Sequence, residues 1–346
     1  MQERKFKLWF LLLISTVILF FLNISLGSVK IPPASILSIL TGGDVKNEAW
    51  QYILFEFRIP KAITAILVGI GLSISGLQMQ TLFRNPLAGP FVLGISSGAS
   101  LGVAVLILAG FSISTFIGID FLIGSGLEVV AAIFGASFVL LLVMLVSTRI
   151  RDSMTLLIVG LMFGSATGAL VSVLQFFSNK DQLQEYLLWT FGSLGGLSWQ
   201  EITIFTPVVL LGVALCYFFV KPLNALLLGE RYAQSMGVNL EKSRFWIIIS
   251  TSILAGSITA FCGPIAFVGI AVPHLTRLLF NTADHKVLIP AVAVSGAILM
   301  LVCDIIAQVP YTDSTLPINV ITSLFGAPVV IWIILRGKNI SKSFSQ

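Results

Sequence analysis

The sequence predicts an all-α polytopic membrane protein of about ten transmembrane helices, and three observations carry that prediction. Of 346 residues, 57% are hydrophobic and only 10% charged, whereas a soluble domain carries charge on about a quarter of its residues. Apolar runs recur along the whole chain, each close to the roughly 20 residues that cross a bilayer as helix. The short alternating segments that build a membrane barrel are absent, and an open sheet would leave edge groups unpaired in lipid.

Taken in order, the first run covers 8–27 and follows Arg4, Lys5 and Lys7, as the core of a secretory signal would. It is too long for such a core, and no small-x-small cleavage site follows, so it is read as a span. In the outer connection 28–60, Pro32 and Pro33 can open a short helix over 34–40, which Gly42 and Gly43 end. The second span, 61–82, begins at Lys61 and stays free of charge as far as Arg84. It breaks at Asn85-Pro86-Leu87-Ala88, because Pro86 and Pro90 cannot continue a regular helix. The third span, 93–110, carries Gly94, Ser96, Ser97, Gly98, Ala99, Ser100 and Gly102, which suit close packing or a polar path through lipid.

Spans over 126–147 and 154–177 follow. The outer connection 178–201 contains an aromatic, glycine-rich turn at 189–196 that fits an interfacial anchor. A span at 202–220 leads into 221–244, which is too short and too charged to cross. There Leu223, Leu226, Leu227 and Met236 alternate with Glu230, Arg231, Glu241, Lys242 and Arg244. The pattern predicts a short amphipathic helix, a break at Gly229 and a second helical turn on the inner face. Such an element either rests on lipid headgroups or inserts into a cytoplasmic partner. The last four spans cover 245–262, 264–280, 287–309 and 318–335. No segment offers a soluble domain, so 1–346 is read as one transmembrane domain.

Charge placement orients the chain. With the N-terminus inside, the inner set is Arg4, Lys5, Lys7, Arg84, Arg149, Arg151, Lys221, Arg231, Lys242, Arg244, Arg277, Lys286, Arg336, Lys338 and Lys342. The outer set is only Lys30, Lys46, Arg58, Lys61 and Lys180. Fifteen against five is a clear positive-inside bias, and an even span count places both termini in the cytoplasm. The net charge of +5 reflects this bias and calls for no nucleic acid.

The spans are nearly free of ionisable groups. Residues 85–119, 154–179 and 245–273 contain no Asp, Glu, Lys, Arg or His. Groups of that kind inside a membrane are costly and normally serve ion coupling. Glu128 and Asp304 fall near the outer ends of their spans, and His274 and His285 flank the inner loop around Arg277 and Asp284. The energy source is therefore expected outside this chain. No Walker A loop, HExxH motif or nucleophile elbow is present, so the chain is not read as an enzyme. Cys216, Cys262 and Cys303 fall within apolar spans at no metal spacing and read as packing residues.

Several blocks in fixed order carry a family resemblance: Arg58-Ile59-Pro60-Lys61; Ser75-Gly76-x-x-x-Gln80; Arg84-Asn85-Pro86-Leu87-Ala88 with Leu93-Gly94; and Trp189-x-x-Gly192-Ser193. Leu228-Gly229-x-x-x-Ala233-x-x-x-Gly237-Val238, Gly263-Pro264-Ile265-x-Phe267-Val268-Gly269 and Pro273-His274-x-x-Arg277 follow. Asp284-His285-Lys286, Leu316-Pro317-Ile318 and Gly326-x-Pro328 close the set. Together they resemble the FecCD family, the permease subunits of binding-protein-dependent ABC importers for iron–siderophore complexes, haem and vitamin B12.

The resemblance implies a vitamin B12 permease-like fold in the cytoplasmic membrane, working as a homodimer with its path on the dimer axis. It implies two cytoplasmic ABC ATPase subunits that use ATP and Mg, an external substrate-binding protein, and no cofactor or metal held by this chain. An iron–siderophore is the expected cargo, with haem or cobalamin as alternatives; an ion-coupled secondary transporter is the rival of a different class. Arg58 and Lys61 match positions that dock the binding protein. Leu226, Leu227, Leu228, Gly229, Glu230, Arg231, Ala233 and Gly237 match the segment that couples to the ATPase. Asn85, Leu87, Ser153 and Met154 resemble an inner gate, and Gly160, Gly164 and Gly168 line the expected pathway. Three departures stand out: Gln308 where an outer arginine is common, Thr315 and Asn319 beside Leu316-Pro317 in place of Glu and Gly, and no glycine in 278–284.

Overall fold

A computed structural model describes residues 2–43, 47–109, 125–147, 153–308 and 315–335. Of the cations used for orientation, Lys46, Arg149, Arg151, Arg336, Lys338 and Lys342 lie outside the described residues. The helices are α1 Gln2–Ser25, α2 Pro33–Leu40, α3 Glu48–Ile53, α4 Ile59–Leu82, α5 Ile95–Leu108, α6 Ser125–Ser147, α7 Ser153–Phe177 and α8 Lys180–Thr190. They continue as α9 Trp199–Phe218, α10 Val220–Leu227, α11 Glu230–Ser235, α12 Leu240–Cys262, α13 Val268–Phe280, α14 His285–Ala307 and α15 Ile318–Leu335. Among the described residues, seven apolar stretches are long enough to cross a bilayer and three shorter apolar helices accompany them, in keeping with about ten spans.

The edges moved for identifiable reasons. A single π turn over Leu54–Arg58 joins α3 to α4, so this helix extends well outside the predicted start at Lys61. Its loosened backbone leaves the Phe55 carbonyl to accept from Trp199 Nε1 at 2.9 Å. The eighth span starts later than predicted, because 263–267 is not helical and Phe267 adopts a left-handed backbone at the head of α13. A broken helix of this kind is tolerated at membrane depth only where protein surrounds it. The Asn319 side chain meets that need, its Oδ1 accepting from the Ala266 amide at 3.0 Å, while the Asn319 backbone N–H donates to the Phe191 carbonyl. The departure at Asn319 therefore stitches two loops together. In the same way Asn281 supplies the left-handed residue that ends α13 in a segment without glycine.

The core is organised around α4, which is buried over most of its length. Its small residues allow two helices to approach to backbone contact. A Cβ on Gly69 would overlap the carbonyl of Gly296 on α14, and one on Gly76 would overlap the carbonyl of Gly269 on α13. With no water to expel between helices in lipid, such close dispersion contact is what holds them. Polar side chains add directional links. Gln78 bonds to Ser250 and Thr251 of α12, and Ser250 donates on to the Gly212 carbonyl of α9 at 2.8 Å. Gln80 donates to the Ile270 carbonyl at 3.1 Å, so the block Ser75-Gly76-x-x-x-Gln80 forms the α4–α13 joint.

Candidate functional site

At the end predicted to face outward, α1, α4 and α14 converge on one carboxylate. Asp304 is 2% exposed and pairs with Lys61 Nζ at 3.0 Å. Its other oxygen accepts from Asn23 Nδ2 and Gln308 Nε2, each at 2.8 Å. Gln308, a departure from the expected arginine, is thus a ligand of Asp304. Arg58 is buried, and its guanidinium donates to the carbonyls of Ile24, Ser25 and Val29. It lies against Gly27, where a side chain would press on the guanidinium, so Arg58 ties the end of α1 to the head of α4. Of the two predicted docking cations, Lys61 therefore faces an internal partner and Arg58 is absorbed by backbone. Both line a cavity of about 630 Å³, which the glycine-rich turn 192–196 also lines.

At the opposite end, α10 and α11 form a short two-helix unit on the surface. Residues Leu223, Leu226 and Ala233 turn inward and are buried, whereas Leu228 at the end of α10 and, beyond the break, Tyr232 and Met236 are exposed. Leu227 is half-buried and Arg231 exposed. The exposed apolar residues of the unit are thus Leu228, Tyr232 and Met236, and sequence reasoning missed Tyr232 because the exposed side of a helix cannot be fixed before its buried side is known. Gly229 separates the two helices at φ 107°, ψ 154°, beside Arg84, and Gly237 reverses the chain after α11. Side chains avoid the Gly229 conformation, at a cost of about 1–3 kcal/mol. Gly229→Ala is expected to lower the melting temperature modestly, read by thermal unfolding in detergent; an unchanged melting temperature would show the turn geometry to be unimportant.

Glu230 is held inside the chain. Its Oε1 accepts from Ser153 Oγ at 2.5 Å and from Arg244 at 2.6 Å. One carboxylate thus joins the surface unit, the head of α7 and the second turn of α12. Asn224 makes a comparable link to α14. Its Nδ2 donates to Asp284 at 2.8 Å, and its Oδ1 accepts from the His285 amide at 2.9 Å. Burial alone would raise the Asp284 carboxyl, but donation from the Lys286 amide and from Asn224, with the Lys286 charge nearby, holds it below its ordinary value.

The predicted gate residues lie near this unit. Asn85 Oδ1 accepts from the Leu87 amide at 2.9 Å, fixing the turn after α4 and leaving Leu87 partly exposed. Leu87 borders a cavity of about 220 Å³ with Leu161 of α7 and Phe267 of the broken helix. Ser153 is buried and Met154 exposed. The three α7 glycines divide: Gly160 packs against the Val92 carbonyl, a Cβ on Gly164 would meet Ser97 Oγ at 3.4 Å, and one on Gly168 would meet open space. Along α7, Ile158, Leu161, Met162, Leu170 and Val173 are all exposed.

Known proteins share this architecture across their full length. The chain is 32% identical to the hemin transport system permease HmuU of Yersinia pestis, covering 94% of this chain and 96% of that protein. It is 34% identical to the vitamin B12 import system permease BtuC of Klebsiella pneumoniae, covering 98% and 96%. A solved inward-facing ABC transporter assigned to the metal-chelate type superposes with a TM-score of 0.81 at 29% identity, covering 96% and 99%. Residues 14–336 match the FecCD transport family, and this chain belongs to it.

Proposed function

We propose that this chain is the transmembrane permease of an ABC importer that carries a metal chelate, an iron–siderophore complex first among them, across the cytoplasmic membrane of a bacterium. It works as a homodimer fed by an external binding protein and driven by two cytoplasmic ATPase subunits. The observation that supports this most is the Ser153–Glu230–Arg244 link at the inner end. A surface unit that presents Leu228, Tyr232 and Met236 is bonded directly to the head of α7. Force applied by a docked ATPase has a short path to the residues that resemble an inner gate. The exposed apolar face of α7 supports a second copy across the pathway, because lipid alone does not require the small residues that stud it.

Relatives that import hemin and vitamin B12 keep both cargoes open as alternatives within the same class. Proteoliposomes containing the permease, its ATPase and its binding protein are expected to accumulate a labelled ferric siderophore only with hydrolysable ATP and Mg. Haemin and cyanocobalamin serve as parallel probes, and preference for either would reassign the cargo. Uptake by the permease alone on a proton or sodium gradient would remove the importer reading altogether.

A further inference from the structure

Three elements distant in sequence meet at His285, which is fully buried at the first turn of α14. Its Nδ1 is 2.7 Å from Asn224 Oδ1 on α10, and its Nε2 is 2.9 Å from Thr81 Oγ1 in the last turn of α4. The orientation of the Asn224 amide is fixed, since Nδ2 donates to Asp284 and Oδ1 accepts from the His285 amide. An acceptor therefore faces Nδ1, which must carry the proton, and Nε2 of the neutral ring faces the Thr81 hydroxyl, whose single proton it shares with the Leu77 carbonyl. Both ring nitrogens thus have a polar neighbour within 2.9 Å. Asn224 and Asp284 also share the donors at the head of α14, so a side chain from the surface unit serves as part of another helix's N-cap.

We propose that Asn224 and His285 are positioning residues that make α10, α4 and α14 move as one body, so that displacement of the surface unit reaches the helix ends instead of being absorbed in the loop. This rests on the reading of α10–α11 as the ATPase-docking unit. A buried hydrogen bond with a fixed partner resists sliding, and an unpaired buried group left by removing one partner destabilises the joint. Unlike the Glu230 link, which reaches α7 and α12, this one reaches the two helices that cross at Gly69 and Gly296. The Asn224 unit therefore connects the inner surface to the core pair of the fold.

The test uses the assembled importer in proteoliposomes, with a labelled ferric siderophore, haemin and cyanocobalamin run in parallel. Asn224→Ala and His285→Leu are expected to keep ATP hydrolysis while the ATP consumed per molecule imported rises about fivefold or more. His285→Asn, whose amide can still donate to Asn224, should recover part of the loss. The double variant should be no worse than the more affected single one, because residues acting as one unit are not additive. An unchanged ratio in all variants, even with lowered thermal stability, would overturn the proposal and leave a purely structural pin. A partner-free measurement separates this outcome from failure of the docking reading. Spin labels at Ser235→Cys and Ala283→Cys should report a narrow distance distribution that broadens in Asn224→Ala. Equal widths would overturn the relay whether or not an ATPase binds.

Discussion

Replacing Gly76 by alanine is expected to be among the most damaging single changes to this protein. The added methyl would overlap the backbone of Gly269, and neither helix has a side chain that can swing aside. Overpacking a tight interior contact costs about 1–3 kcal/mol, and an obstruction formed by two helix backbones belongs at or above the upper end. The variant should unfold at a lower temperature in detergent and be recovered in poor yield. Gly168→Ala supplies the control, since the added Cβ would meet no neighbouring element within 4 Å, and its melting temperature should not fall below the parent's. Equal stability of the two variants would mean that α4 and α13 do not cross at Gly76.

The second large effect concerns the outer ion pair. Asp304→Ala removes the carboxylate that Lys61, Asn23 and Gln308 share. Taking away one partner of a buried pair costs about 3–5 kcal/mol, because the remaining charge is left without compensation. Replacing both partners by apolar residues of similar volume is often neutral, so Lys61→Met combined with Asp304→Leu should recover part of the loss. Full recovery is not expected, since the amides of Asn23 and Gln308 would still lack their acceptor. Thermal unfolding of the two singles and the double measures this directly. If Asp304→Ala melts with the parent protein, the network does not hold α1, α4 and α14 together.

The outer network also shows where reading the chain was sufficient and where it was not. Asp304 stood out as an ionisable residue near a span end, and Lys61 as a basic flank, but nothing in the chain paired them. Asn23 gave no signal at all, because one asparagine at a span end looks like any other. At the inner end the break at Gly229 was legible, since a glycine beside charged residues interrupts a short amphipathic run. The inward direction of Leu226 and the outward direction of Leu228 were not, because two adjacent leucines are equivalent until one side of the helix has neighbours. Glu230 read as a charge free for a partner, yet Arg244 and Ser153 occupy it.

Residue order alone established a lipid-embedded helical protein, the breaks at Asn85-Pro86 and Gly229, and its family. Hydropathy acts over a contiguous run, and proline and glycine alter the backbone where they stand, so those properties need no knowledge of the rest of the chain. Packing decided which polar groups meet: Thr81 with His285 across 204 positions and Asn23 with Asp304 across 281. In a bilayer such groups find each other only after helices have docked through their small residues. The function of each polar side chain is therefore set by the helix that comes to lie beside it.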